Sequence, residues 1–453
     1  MQRILSNIRL SLIVFILLLY SNALQAADPP RPLTLAEAIQ TAVTKNPGIS
    51  AAAFQVEGSE AQITQARSGL LPQVYFSEAY NHTTNPMWAF GTKLNQEQIS
   101  QRDFDPARLN DPDPINNFAS SLSLNWSLYD SGQTRHGLKQ AEIGKQITAL
   151  SLERTRQQVI AQTVSAYVGL LLAQKNLAVI EQTLATARAH LKMVRSRFET
   201  GFVVKSDLLR AQVHIADLEQ QQLEAESRVL VARSFLNAAM GVPVESDFEL
   251  SSPLEAGKEI DGALEIWTEK ALLLRPELKQ LRNQEMIARE EINKSQAAHH
   301  PSVNLMGNYE FNTEDFSEWG DNYTVGAVVS LNLFSGRRLS ARTLQARAAL
   351  NEIGAREVEL KQGILVQTRQ AFLQAQSARK RILVAETAAA QAEETLRIVR
   401  NRYETGLLNI VALLDAELAL QHARTSRFKA VNDYKVAAAQ LALAAGTIDE
   451  NFE

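Results

Sequence analysis

Apolar residues recur about every 3.5 positions along two long segments that contain no proline. The first series is Leu177, Ile180, Leu184, Ala187, Leu191, Val194 and Phe198. The second, 205 positions later, is Ile382, Ala385, Ala389, Ala392, Leu396, Val399 and Tyr403. This period predicts long helices that supercoil left-handedly against partner helices. Glycines 201 and 406 would end these helices, and antiparallel helices from about Ser206 and Asn409 would return. Each half of the chain is thus predicted to contain a long helical hairpin.

A different pattern precedes each long helix. Apolar and polar residues alternate strictly over residues 122–128, alternate over 303–311 and 325–333, and do so less cleanly from Val74 to Tyr80. These patterns predict four strands of about ten residues, arranged as two β-hairpins. Strands of this length with one apolar and one polar face fit a transmembrane barrel. They fit the half-buried sheet of a soluble sandwich equally well, so alternation alone leaves both interpretations open.

An internal duplication organises the chain. The phrase from Val194 to Gly201 returns from Val399 to Gly406 with six of eight letters identical. Upstream matches have a larger offset, which places about 24 extra residues of the first half in a polar loop at Asn81–Asn117. The predicted divisions are a signal peptide (1–26), a first structural repeat (34–246), a linker (247–261), a second repeat (262–446) and a C-terminal tail (447–453).

The N-terminal residues predict export from the cytoplasm. Arg3 and Arg9 precede and border an apolar run over 10–20, and small residues follow at 21–27. This order is typical of a secretory signal peptide, with an uncleaved anchor as the alternative. The chain has no cysteine, which excludes disulfides, thiolate metal sites and lipidation at an N-terminal cysteine. A formal net charge of −4 provides no broad basic surface for nucleic acid.

Secretion and strand number together favour the barrel. Four strands are too few to close a barrel, and open sheet edges are not stable in lipid. Two copies would supply eight strands and three copies twelve. The pattern therefore predicts an oligomeric outer-membrane pore, with the helical hairpins forming a second cylinder in the periplasm.

Over about residues 34–446 the chain resembles the TolC family of outer-membrane efflux proteins. The motifs that carry this resemblance are Asn46-Pro47 with Arg275-Pro276, residues 128–132 (LYDSG) with 333–336 (LFSG), and the two Arg-aromatic-Glu-Thr-Gly tips. The resemblance implies a mainly α protein with a small β part. It also implies a homotrimer with a twelve-stranded barrel, four strands per protomer, continued by a periplasmic α-helical barrel. The implied partners are a periplasmic adaptor, an inner-membrane RND or ABC transporter, and outer-membrane lipid of a Gram-negative bacterium.

The resemblance also directs attention to the narrow periplasmic end. The family often has two aspartates three residues apart there, and this chain has Ala412 and Asp415. Asp207 occupies the matching region of the first half, and Tyr403 could hydrogen-bond a neighbouring hairpin. A ring of carboxylates selects cations. The alternatives are a helix-dipole role for Asp207 and plain packing for Tyr403.

The expected adaptor-docking tips are Gly201, Gly406, Thr200 and Thr405, although glycine at these positions also fits a simple helix C-cap. We find no constellation of catalytic, metal-ligating or cofactor-binding residues in the sequence, so no enzyme activity, metal or cofactor is predicted. The predicted function is the outer-membrane exit duct of a tripartite efflux or type I secretion system. The alternative is a periplasmic coiled-coil adaptor or scaffold.

Overall fold

The computed structural model describes residues 31–257 and 259–452. The predicted signal peptide therefore lies outside the described residues. The described chain is mostly helical, with a small β part, as the sequence predicts. Its contacts divide it into two compact units. In described residues, unit 1 comprises 31–50, 154–257, 259–275 and 363–452, and unit 2 comprises 51–153 and 276–362.

The elements form two consecutive series of matching order. The first is β1 (Arg31–Leu33), α1 (Leu35–Lys45), α2 (Pro47–Ser68), β2 (Gln73–Thr83), α3 (Pro86–Asn95), α4 (Pro106–Asn110), β3 (Ile115–Tyr129), α5 (Gln133–Glu199) and α6 (Lys205–Met240). The second is β4 (Phe248–Leu250), α7 (Leu264–Leu274), α8 (Pro276–Ala297), β5 (Ser302–Thr313), β6 (Gly320–Ser330), α9 (Arg338–Glu404) and α10 (Ile410–Ala445).

Corresponding helices of the two series have equal lengths. Helices α1 and α7 have 11 residues, α2 and α8 have 22, α5 and α9 have 67, and α6 and α10 have 36. At about 1.5 Å per residue, each 67-residue helix is roughly 100 Å long. The predicted long helical hairpins, α5–α6 and α9–α10, are present.

The segment predicted as a polar loop, Asn81–Asn117, is more structured than expected. It contains α3, a short 3₁₀ helix (Gln101–Phe104) and α4, and the adjoining strands extend to Thr83 and from Ile115. The side chain of Asn85 accepts a bond from the Met87 amide at 3.1 Å. An Asn-Pro or Asp-Pro pair starts each of the two α-helices, because the first residue caps the helix and proline is tolerated in its first turn.

In unit 2, one antiparallel sheet contains all four predicted long strands, in the order β2-β3-β5-β6. The two predicted hairpins are joined through the pairing of β3 with β5, which the sequence did not indicate. Strand β6 ends at Ser330, so Leu331 and Leu333, which the alternation placed in the predicted strand, lie outside the observed one. Its last pair is with Ser302, the first residue of β5.

The strand register gathers apolar residues on one face of this sheet. Phe76 pairs with Leu122, Leu122 with Tyr309, and Tyr309 with Tyr323, so one apolar row crosses all four strands. Phe76 is 71% exposed and Tyr323 is 75% exposed. A contiguous apolar face of this kind is unusual on a surface that stays in water.

The other face of the sheet is polar. Ser77 and Ser121 share a hydrogen bond of 2.7 Å, and the Asn117 amide donates to Asn312 at 2.7 Å. Glu78 is an exception to this separation. It lies on the same face as Phe76, and its carboxylate accepts a hydrogen bond from the Ser120 hydroxyl. The separation of the two faces is the dyad pattern of a barrel strand.

Unit 1 has a core around the middle of α5. The Tyr167 side chain is 1% exposed, and its hydroxyl donates to the Leu33 carbonyl at 2.8 Å. Strands β1 and β4 pair in parallel beside it, a small sheet that the sequence did not predict. Among the described helices, α5 alone is long and apolar enough by composition to cross a membrane, and 44% of that window is buried. Packing of Ile160 and Tyr167 in this core accounts for such an apolar helix.

Candidate functional site: the tips of the helical hairpins

The two hairpins turn at glycines in the left-handed conformation. Gly201 has a φ of 78° and Gly406 a φ of 77°, a region that other residues rarely adopt. At each turn the next amide bonds back into the helix, from Phe202 to the Arg197 carbonyl and from Leu407 to the Arg402 carbonyl, both at 2.8 Å. The glycines are therefore genuine helix C-caps.

The tips are also exposed. An added Cβ at Gly201 or Gly406 would meet no atom within 4 Å. The Thr200 hydroxyl bonds back to the Ser196 carbonyl at 3.0 Å, and the corresponding Thr405 hydroxyl bonds back in the same way. Each turn presents one large apolar side chain after the glycine, Phe202 (83% exposed) in the first and Leu407 (74% exposed) in the second.

The return helices begin differently. Asn409 caps α10 by accepting a bond from the Ala412 amide at 3.1 Å. Val204 holds the same position before α6 and has no side-chain cap. Asp207 lies in the first turn of α6, where its carboxylate is favoured by the helix dipole. The first turn of α10 contains no acidic residue.

Arg197 joins the first hairpin to the second. Its guanidinium donates to the Tyr403 carbonyl at 3.2 Å and to the Glu404 carbonyl at 2.8 Å. It also lies 5.3 Å from the centre of the Tyr403 ring. A cation at the last carbonyls of a helix is favoured by the helix dipole. Arg197 is not among the site residues predicted from the sequence, although an arginine occupies this position in both copies of the repeated phrase, as Arg197 and Arg402.

Tyr403 is packed in an apolar cluster with Val194, Leu396, Ile410 and Leu413. It is 3% exposed, and its buried hydroxyl has no hydrogen-bond partner among the described residues. Burial raises the pKa of the Tyr403 phenol, the Arg197 guanidinium opposes that rise, and the Asp207 carboxylate adds to it. Arg197, Tyr403 and Asp207 therefore lie within electrostatic range of one another.

Asp415 is separate from this group. It is exposed on α10, and within the described chain no hydrogen bond or ion pair joins it to Asp207 or Tyr403. Exposure agrees with a carboxylate available to solvent or to another subunit.

Further from the tips, polar residues of four helices meet in unit 1. Gln421 donates to Gln221 at 2.8 Å, and Arg424 donates to Gln182 at 3.1 Å and to Glu393 at 2.8 Å. His190, His214 and Glu417 form a buried titratable cluster in the same region. No local sequence motif predicts the contacts among these residues, because they come from distant parts of the sequence. Across the described residues, no group of three or more His, Cys, Asp or Glu could hold a metal ion.

Comparison with known proteins decides the family. The model of the family "Outer membrane efflux protein" matches residues 38–242 and 267–447, which is most of the chain. The chain belongs to this family. It is accordingly an outer-membrane channel protein, and the predicted membership of the TolC-like proteins is confirmed. The alternative of a periplasmic adaptor is wrong, because the family match spans both series of elements.

Individual relatives agree with this assignment. The alkaline protease secretion protein AprF of Pseudomonas aeruginosa is 26% identical over 430 residues, which cover 92% of this chain and 85% of AprF. The outer membrane protein TolC of Vibrio cholerae is 25% identical, covering 92% of this chain and 91% of TolC. The outer membrane channel CmeC of Campylobacter jejuni shares the fold, with a TM-score of 0.76 at 18% identity over 92% of this chain and 87% of CmeC.

Proposed function

We propose that this chain is the outer-membrane exit duct of a tripartite efflux or type I secretion system, and that three copies form it. The observation that carries the proposal is the four-stranded sheet, with one exposed apolar face and with outer edges on β2 and β6 that pair with no other strand of the described residues. Unpaired backbone groups are costly in lipid, so the edges must pair with neighbouring copies. Three copies supply twelve strands, a number within the range of outer-membrane barrels.

The apolar face then contacts lipid and the polar face lines the lumen. The row from Phe76 to Tyr323 fits the outer surface, and Ser77, Ser121 and Asn117 fit the inner one. The barrel itself anchors the protein, since there is no cysteine to carry a lipid. Helices α5 and α9, each of 67 residues, are long enough to continue the duct across much of the periplasm as an α-helical barrel.

The equal helix lengths support two structural repeats as the origin of this architecture. We assign the first to residues 34–246 and the second to 262–446, with 247–261 as a linker and 447–453 as a tail. The proposed signal peptide, 1–26, directs the chain out of the cytoplasm.

The exposed tips are the proposed docking surface for the periplasmic adaptor, which links the duct to an inner-membrane RND or ABC transporter. Gly201 and Gly406 allow the tight turns, and Thr200 and Thr405 complete the helix ends. The flanking apolar residues Phe202 and Leu407 provide surface that a partner could bury.

The proposed periplasmic constriction comprises Asp415, Asp207 and Tyr403. The exposed Asp415 of each copy would face the pore and favour cations, because like charges in a ring attract counter-ions. Asp207 also stabilises the start of α6, and Tyr403 also packs in the apolar cluster, so both have structural roles as well.

For the cargo, similarity to AprF over 92% of the chain favours secretion of polypeptides. Efflux of small molecules, supported by the family description, is the second candidate. A deletion strain complemented with this gene would distinguish them: polypeptide export and small-compound resistance are measured in parallel, and the proposal expects the first to be restored.

The proposed duct is tested by fractionation and reconstitution. The processed chain should appear in the detergent-extracted outer membrane, migrate as a trimer and conduct ions in planar bilayers. A water-soluble monomer that never permeabilises a vesicle would contradict the proposal. Single cysteines introduced at Thr200 and Thr405 would add a test of docking, because the cysteine-free chain has no background reactivity.

A further inference from the structure

Three buried titratable side chains meet between the two hairpins in unit 1. His190 Nε2 on α5 lies 3.0 Å from Glu417 Oε1 on α10, and His214 Nε2 on α6 lies 3.7 Å from Glu417 Oε2. The Glu417 side chain is 2% exposed, and those of His190 and His214 are 11% and 14% exposed. We call these three residues the His–Glu–His cluster.

Four polar atoms of this cluster lack a hydrogen bond within the described chain. Both Glu417 oxygens and both imidazole Nε2 atoms are buried and make no hydrogen bond with any described residue. The 3.0 Å contact is close enough for an ion pair but is not aligned as a hydrogen bond. A buried carboxylate without hydrogen bonds is costly unless a positive charge lies beside it. The charge state of the two imidazoles therefore decides whether this packing is favourable.

Most of the charged side chains near the cluster form ion pairs with one another. On α5 and α6, Arg188 pairs with Glu219 at 2.9 Å. A cavity of about 420 Å³ beside Glu417 is lined by further charged groups of α9 and α10, namely Glu393, Glu394, Arg397, Arg400 and Arg424. Of these, Arg397 pairs with Glu394 at 2.7 Å and Arg424 with Glu393 at 2.8 Å.

No lysine or arginine nitrogen of the described chain forms an ion pair with Glu417. Among the arginines that line this cavity, Arg400 alone shows no ion pair with a described residue. Its Nε also has no hydrogen-bond partner there. The contacts of Glu417 within ion-pair distance are the two imidazoles. A metal ion is the other usual partner of such a group, but the cluster does not have a metal-holding geometry.

We propose that the His–Glu–His cluster is a proton-controlled contact that holds the first hairpin against α10 and so favours the closed form of the proposed duct. Histidine is the side chain that ordinarily titrates between about pH 5 and 8. A protonated imidazole neutralises Glu417 and the packed arrangement is stable. When both imidazoles are neutral, the buried carboxylate has no counter-charge, and separation of α10 from α5 and α6 lets water solvate it.

The direction of the pH dependence follows from linkage. A positive charge on an imidazole beside the buried Glu417 carboxylate stabilises the packed arrangement, so that arrangement is favoured at acidic pH and loses its advantage across the range of about pH 5 to 8. For one proton, the ratio of open to closed forms rises by up to about tenfold per pH unit in that range.

Conductance of the reconstituted full-length protein tests the proposal. Open probability in planar bilayers of one fixed lipid composition should rise with pH from about 5.5 to 8. Glu417→Gln keeps the size and removes the charge, so this pH response should disappear. His190→Gln and His214→Gln should each weaken it. His422→Gln is the matched control, because His422 is exposed on the same helix and should leave the response unchanged.

One further variant and one further condition exclude the competing explanations. Arg400→Gln should preserve the pH response, and its loss would assign the counter-charge to Arg400 and overturn the proposal. Chelator treatment should also preserve it; a response that vanishes in chelator and returns with Zn²⁺ would assign a metal site instead. A pH-independent wild-type channel, or a response that survives Glu417→Gln, would likewise overturn the proposal.

A second readout does not depend on conduction. Spin labels on Thr200→Cys and Thr405→Cys would report the distance between the tips in detergent, with the cysteine-free chain as background. Their separation should increase between about pH 5.5 and 8, and Glu417→Gln should remove the change. This proposal rests on the proposed duct, yet the two can fail separately. A chain that never conducts contradicts the duct, whereas a constant label distance contradicts the proton-controlled contact.

Discussion

The two helical hairpins have the same lengths but differ in side-chain burial and helix capping near their tips. Both combine a 67-residue helix with a 36-residue return helix. At equivalent positions, Phe198 of the first hairpin is 36% exposed and Tyr403 of the second is 3% exposed. Asn409 caps the second return helix, whereas Val204 leaves the first uncapped.

Charged residues are divided between the hairpins as well. The first contributes Arg197, which reaches the last carbonyls of α9, and the histidines of the His–Glu–His cluster. The second contributes Glu417 and the exposed Asp415. The two hairpins thus share helix lengths while their side chains are complementary, so that one hairpin supplies groups that the other receives.

The largest expected difference in stability is between substitution of Tyr403 and substitution of Phe198. Tyr403→Ala should lower the free energy of unfolding by about 3–5 kcal/mol, because it empties a buried aromatic site. Phe198→Ala should cost clearly less, since its side chain is partly in solvent already. Denaturant unfolding in detergent, followed by circular dichroism, measures both. Equal losses would mean that Phe198 is buried by another subunit and that the hairpins are less different than this chain alone suggests.

The next largest difference in stability should be between substitution of Arg197 and substitution of Arg402. Arg197→Ala removes two hydrogen bonds to the end of α9 and should cost about 1–2 kcal/mol, with a higher open probability. Arg402→Ala is the matched control, because Arg402 is exposed at the equivalent position. Its effect should stay within about 0.5 kcal/mol. An Arg402 effect as large as that of Arg197 would contradict the asymmetry.

The caps can be exchanged. Asn409→Ala should cost about 1 kcal/mol because the Ala412 amide loses its acceptor. Val204→Asn should gain roughly 0.5–1 kcal/mol, since its backbone (φ −85°, ψ 158°) already has the conformation of a capping residue. Thermal melting of the detergent-solubilised protein measures both changes. A Val204→Asn variant that is no more stable would show that another group already satisfies the start of α6.

The two aspartates should separate stability from selectivity. Asp207→Asn should cost about 0.3–1 kcal/mol by removing a charge that the helix dipole favours. Asp415→Asn should leave stability unchanged and reduce cation preference, measured as a reversal potential across a salt gradient. Unchanged selectivity in Asp415→Asn would count against a carboxylate ring in the pore.

The smallest effect is expected for Tyr403→Phe. Near neutral pH the change should be close to zero, because the buried hydroxyl has no hydrogen-bond partner among the described residues. The raised pKa of Tyr403 means that its neutral form is favoured in the fold, so stability is kept below the ordinary pKa of about 10 and lost above it. The variant should lose less stability than the wild type above about pH 10. Identical profiles would contradict this assignment.

Much of the fold could be predicted because its signals are local. The helical hairpins follow from the 3.5-residue period, the long proline-free segments and the glycines at 201 and 406. The four strands follow from alternation. The short helices of the long loop had local signals too, the capping pairs Asn85-Pro86 and Asp105-Pro106, but its polar composition concealed them.

The contacts at the candidate site could not be predicted in the same way. Arg197 bonds carbonyls more than 200 residues away, and His190 meets Glu417 at a similar separation. Such contacts depend on how the helices pack, which the spacing of residues within one helix does not reveal. The β3–β5 pairing is non-local for the same reason.

The unpaired outer edges of β2 and β6 have a consequence for inheritance. If three copies must pair their edge strands to enter lipid, a copy with a defective edge strand inactivates every trimer that contains it, including the normal copies in that trimer. A single mutant allele expressed beside the normal one would then abolish most functional assemblies, so that such mutations behave as dominant rather than recessive.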